Sequence, residues 1–249
     1  MSVAQPGLQA SSPQSKPTPE RSRFYVTIAL IAAAIVFLGF ARTFFFNAFF
    51  AHGYLGTLRI VHGTVFSLWL VLLLAQTTLV ARNRTDIHRR LGVFGFVLAV
   101  LMIILGLGVA FNAAKYGFHA PGLPPPLIFV AVPFFDIVVF ATLIAAAFYY
   151  RRRPEIHKRL IIVATISILP PALARFCLLS PVLMKTLPFS VFLVADLMIV
   201  GCVLYDYSKT KRLERAWFWG GLLFFLSFPL RMLIASTTAW QSFARWVIS

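Results

Sequence analysis

Apolar residues fall in long blocks along this chain, separated by short polar stretches. The apolar blocks lie at about residues 24–42, 57–81, 91–114, 127–150, 160–184, 188–206 and 216–238. Each reaches or exceeds the ~18 residues that carry a helix across the hydrocarbon of a bilayer. In that setting every backbone polar group must be satisfied within its own segment, which a helix does. The pattern therefore predicts an all-α polytopic membrane bundle of seven transmembrane helices over 24–246. Residues 1–23 (MSVAQPGLQASSPQSKPTPERSR) are rich in Ser, Pro and Gln, cannot bury a core, and are expected to form a disordered tail. The first apolar block is longer than a signal-peptide core of about 7–15 residues, so it is expected to stay as a helix. Phe44, Phe45, Phe46, Phe49 and Phe50 after that block, and Trp240 and Trp246 at the other end, suit membrane interfaces.

The second and third blocks resemble the fourth and fifth. Residues 82–91 read RNRTDIHRRL and residues 151–160 read RRRPEIHKRL, and the match runs back to Phe66 and Phe135 at a constant offset of 69. Phe66–Leu91 and Phe135–Leu160 thus look like two copies of one unit: apolar helix, basic turn, start of a second apolar helix. Both copies have the same orientation, so the repeat is expected to be parallel, spans two and three matching spans four and five.

Charge adds topology. The chain carries 23 Lys and Arg against 7 Asp and Glu, with 60% hydrophobic residues. A net charge of +16 on a soluble protein would suggest nucleic acid. Here the cations sit mostly in turns between apolar blocks, which points to lipid headgroups and topology control instead. The N-terminal tail and the turns after spans two, four and six hold 16 of the 23 cations, all on one side of seven alternating spans. The positive-inside rule makes that side cytoplasmic, with the N-terminus inside and the C-terminus outside an inner membrane. Cys177 and Cys202 lie at different depths, so no disulfide is expected.

The charges inside apolar blocks are the candidate chemistry: Asp136, Arg175, Asp196 and Arg231, with Arg42 at the end of span one. Helix rise sets them ~15–27 Å from the cytoplasmic ends of their spans, in the outer half. A charge at the bilayer centre costs ~2.5–3.5 kcal/mol or more, so such groups pair or serve a function. Pro133, Pro170, Pro171 and Pro229 lie close to them, and kinks free backbone carbonyls. His62, Phe66, Trp69, Leu73 and Gln76 share one helix face, an inward polar stripe. These residues together, Arg42, His62, Trp69, Gln76, Asp136, Arg175, Asp196 and Arg231, are the expected ligand-binding set, against the plainer reading of a salt-bridge network and helix contacts. With three arginines and two aspartates, one positive charge remains to be neutralised by a carboxylate, a phosphate or a lipid headgroup.

His88 and His157 match by the repeat and should share one depth, at the basic edge. Two histidines on neighbouring helices can ligate haem iron. The competing reading is a basic helix start among headgroups, and it sets the expectation that they are not ligands. His52 and His119 fall in outer loops. The chain contains no Walker loop, GxSxG, HExxH or dinucleotide fingerprint.

The segments HGTVFSLWLVLLLAQ at 62–76, HRRLG at 88–92, HKRL at 157–160, ADL and YD within 195–206, and PLR, AW, FA and W within 229–246 resemble an uncharacterised family of bacterial multi-pass inner-membrane proteins. That resemblance covers about 23–246 and implies a bacterial inner-membrane setting with no activity to carry over. The histidines spaced across a small bundle are also similar to those of cytochrome b561-like proteins. This second resemblance implies haem b on His88 and His157, although such proteins hold their ligands deeper. The expectation is therefore a membrane protein that binds, senses or transports a small anion or lipid in its outer half, without cofactor and with enzymatic activity left open. The alternative is a haem b redox protein, and protein partners are left open.

Overall fold

The computed structural model describes residues 19–50, 55–116, 124–177 and 189–249. Most of the expected N-terminal tail (1–18), together with His52, His119 and Lys185, lies outside the described residues. All regular structure among those described is helical. Seven of the spans are long and apolar enough to cross a membrane: Arg23–Phe45, Thr57–Ala81, Thr85–Lys115, Pro126–Tyr149, Pro154–Cys177, Phe189–Thr210 and Arg215–Ala235.

The elements run α1 (Pro19–Phe40), a π-turn (Ala41–Phe45), α2 (Asn47–Phe50), α3 (Thr57–Ala81), α4 (Thr85–Lys115), α5 (Pro126–Phe129), α6 (Ala131–Tyr149), α7 (Pro154–Ser167), α8 (Pro170–Cys177), α9 (Phe189–Thr210), α10 (Arg215–Ala235) and α11 (Thr238–Ile248). Helix α1 starts at Pro19, so residues 19–23 are helical rather than part of the tail. Helices α4 and α7 start at Thr85 and Pro154, which takes both histidine segments into the helices.

The tight turn after α3 explains the early start of α4. Asn83 is left-handed (φ 58°), the Arg84 N–H donates to the Leu79 carbonyl at 2.8 Å, and the Asn83 N–H donates to Val80 at 3.0 Å. This pairing closes the open carbonyls of a helix end, and Asn tolerates the left-handed position. The matching turn after α6 has Arg152 there and closes differently, through Arg153 N–H to the Tyr150 carbonyl at 2.7 Å. Pro154 then opens α7, where its missing N–H costs nothing.

The hairpins α3/α4 and α6/α7 meet through α4 and α6; α1 lies against α3 and α8, and α10 against α6, α7 and α9. Their shared core includes Trp69, Leu98, Met102, Phe140, Leu143, Ile162, Val163, Ile166, Trp217 and Phe224. Large apolar side chains such as Leu38, Ile104, Leu197 and Leu233 face outward, as lipid contact requires. Span five is broken. Proline at 170 and 171 ends α7 at Ser167, and Ile168 and Leu169 satisfy the loose end by donating to Thr165 (3.3 Å) and Ile166 (3.0 Å). The break separates the two chemistries of this span, Arg159 near the end that bears the basic turns and Arg175 near the far end.

Candidate functional site

The eight residues of the expected ligand set do not form one site. Arg231 and Asp136 pair between α10 and α6, with Asp136 Oδ2 enclosed and without a hydrogen-bond partner among the described residues. Arg231 Nη1 donates to Asp136 Oδ1 at 2.5 Å and to the Val132 carbonyl at 3.2 Å. Its Nη2 donates to Ser227 Oγ at 2.8 Å and its Nε to the Ser227 carbonyl at 3.1 Å, while Phe192 covers the guanidinium face at 4.6 Å. Arg231 is fully buried and spends itself on these groups. Trp69 belongs to the core, donating to Thr165 Oγ1 at 3.3 Å with its edge on Phe140. Asp196 is half-buried and pairs with no cation among the described residues. A surface groove runs past Arg231, lined by Phe135, Val139, Trp219, Leu223 and Leu230, and it is apolar.

Arg175, Arg42 and His62 gather at the far end around the π-turn. The Arg175 guanidinium stands over the Phe40 ring, 3.7 Å from its centroid, with Nε donating to Thr43 Oγ1 at 3.2 Å and Nη1 to the Pro171 carbonyl at 2.5 Å. No carboxylate pairs with it among the described residues. The His62 ring lies against Phe66, centroids 4.1 Å apart and planes tilted by 35°. Two glycines let the segments close in. A Cβ on Gly39 would meet the Ala172 carbonyl, and one on Gly63 would collide with the Phe44 ring. Arg42 is exposed and stands 5.2 Å from the Phe50 centroid.

At the basic end the structure brings together His88 and His157, each half-buried. Their ring centroids are 6.4 Å apart and their planes lie at 81°. His157 Nδ1 is 2.8 Å from the Ala147 carbonyl. A carbonyl only accepts, so Nδ1 carries the proton and the neutral ring presents an Nε2 lone pair. A backbone carbonyl behind an imidazole is also the arrangement that orients a metal-ligating histidine. His88 stands beside the Gln76 backbone on α3. His88 Nδ1 and Gln76 Oε1 are both enclosed and have no hydrogen-bond partner among the described residues, and the same holds for His62 Nδ1 and Asp136 Oδ2 elsewhere in the bundle. Enclosed polar atoms without partners are uncommon and mark places where an ion, a water or a ligand belongs. Gln76 therefore joins the histidines and not the far-end arginines.

Sequence reasoning missed a second site at this end. Arg159, counted there as one more turn cation, is fully buried. Its Nε and Nη2 donate to Asp206 Oδ2 at 2.9 and 2.7 Å, its Nη1 to Glu155 Oε2 at 2.8 Å, and Glu214 lies 3.9 Å away. Trp217 Nε1 also donates to Asp206 Oδ2, at 3.0 Å. Three of the chain's 7 acids thus converge on one arginine and join α7, α9 and α10. The signal was present: Phe192, Ala195, Ile199, Cys202 and Asp206 follow 3-4 spacing, which sets Asp206 on the buried face of α9.

The chain matches no family model, and no curated protein or solved structure is significantly similar to it. Among the described residues no group of three or more His, Cys, Asp and Glu side chains could hold a metal ion, so any metal at the histidine pair must bring further ligands of its own.

Proposed function

We propose that this integral membrane protein is a redox protein that holds a haem b iron between His88 and His157. The observation that carries the reading is the pair itself, two imidazoles from different hairpins with centroids 6.4 Å apart. Haem iron supplies its other ligands from the porphyrin, which suits a site with two histidines and no third. The Ala147 carbonyl supports His157 as a ligand, and the enclosed, partnerless His88 Nδ1 and Gln76 Oε1 support an occupant. Arg82, Arg84, Arg89 and Arg90 are exposed at the same end and suit the two carboxylates of a haem. Bound there, haem would carry single electrons at the cytoplasmic face that the positive-inside rule assigns. The sequence pattern ranked this reading second because it set both histidines among headgroups. Their half-buried packing between helices supports placing it first.

Protein purified from membranes of haem-supplemented cells should show a Soret band and reduced α and β bands. His88→Ala and His157→Ala should each abolish them, and His62→Ala should not. A colourless wild type, or variants with unchanged spectra, would overturn the reading.

A second reading, binding of a small anion at the far end, is carried by Arg175, a half-buried guanidinium with no carboxylate partner among the described residues. It uses none of the histidine-pair residues and stands or falls separately.

A further inference from the structure

We propose that Arg175, Arg42 and Thr43 hold the phosphate of an anionic phospholipid in the leaflet at the far end of the bundle. This rests on the anion-binding reading of that end and names its ligand.

Charge comes first. Of the two intramembrane acids, Asp136 is committed to Arg231, and Asp196 makes no ion pair with Arg175 among the described residues. Arg175 keeps a full positive charge beside apolar rings, and Arg42 adds a second from the same π-turn. Arginine does not shed its proton, so an anion must supply the balance. Geometry comes next. Phe40 lies under the Arg175 guanidinium, and Thr43 and Pro171 accept from its Nε and Nη1. Its Nη2 edge donates to no described group. A fixed, planar donor edge is what phosphate oxygens select. The π-turn itself is held by the Phe44 ring against Gly63, so the donors sit on a braced segment and not on a free loop. Single π-turns inside helices occur often at functional positions.

The surroundings choose the source of the phosphate. Phe37, Phe46, Phe49 and Phe50 are exposed around the turn, at the end of a membrane-spanning helix. A soluble anion gains nothing from such a surface. A lipid would place its headgroup phosphate on the arginines and its acyl chains along the phenylalanines, and basic sites between membrane helices bind headgroups in this way.

The test is native mass spectrometry of the detergent-purified full chain with added phosphatidylglycerol, diacylglycerol of the same chains, or inorganic phosphate. Phosphatidylglycerol adducts should survive activation that strips diacylglycerol. Arg175→Gln and Arg42→Gln should each lower the retained adduct by about tenfold, the loss of one charge-assisted hydrogen bond. Arg42 is exposed, so its variant folds even if the Arg175 variant does not. Equal adducts in wild type and Arg42→Gln, with equal adducts in Arg175→Gln or Thr43→Val, would overturn the proposal. Arg175-dependent binding of inorganic phosphate without phosphatidylglycerol would also overturn it, while leaving the anion reading intact. Binding of neither would end both.

Discussion

Replacing Asp206 with alanine strips one oxygen that accepts from Arg159 twice and from Trp217 once. Arg159 has no solvent to turn to at 0% exposure. Removing one partner of a buried ion pair costs ~3–5 kcal/mol when the other charge is stranded. Here Glu155 still accepts from Nη1 at 2.8 Å, so the charge is only partly stranded and the cost falls to about 2–3 kcal/mol. The Trp217 indole N–H loses its acceptor as well, which adds about 1 kcal/mol. The expected total is about 3–4 kcal/mol, which lowers the midpoint of thermal unfolding in detergent by roughly 6–16 °C for a chain of this size. Asp206→Asn keeps an acceptor and should cost less than half as much. The double variant Arg159→Met/Asp206→Leu removes both charges together and should be more stable than Asp206→Ala, because no cation is left behind. The assay is loss of helical circular dichroism on heating, with unfolding checked for scan-rate dependence. An Asp206→Ala midpoint within 2 °C of wild type would show that the network contributes nothing and that the reasoning fails.

The same logic applies at the other pair. Asp136→Ala should destabilise by about 3–5 kcal/mol, more than Asp136→Asn, since Arg231 has no second carboxylate to fall back on; detergent melting curves of the two variants check it. Orientation is tested by fusions. Alkaline phosphatase joined after Ser249 should be active and joined after Arg153 inactive, and the reverse pattern would reject the cytoplasmic placement of the basic turns.

The seven spans were legible because each is long, apolar and bounded by charge, and a bilayer leaves such segments no other structure. Their ends were less so. The Asn83 turn is too tight to read as a boundary, so the span assigned from residue 91 in fact begins at Thr85. The site was legible in its residue types but not in its partners. Arg231 and Asp136 both stood out as intramembrane charges, yet nothing in one sequence says that they face each other and not Arg175 or Asp196. Gln76 shares a helix face with His62, but that face is more than two turns long, and the two residues serve opposite ends of the bundle. Arg159 was hidden by its neighbours, because RRRPEIHKRL reads as a solvated basic turn until Asp206 and Trp217 are brought against it from α9 and α10.

Whether His88 and His157 share one iron is read from the reduced-minus-oxidised visible spectrum of the purified protein. With both rings holding the haem, the wild type should show a b-type spectrum, with one haem per chain by pyridine haemochrome. Each single histidine variant should lose it while retaining its helical circular dichroism. A wild-type preparation free of haem after expression with ample haem supply, or a spectrum that survives in His88→Ala and His157→Ala, would contradict the account.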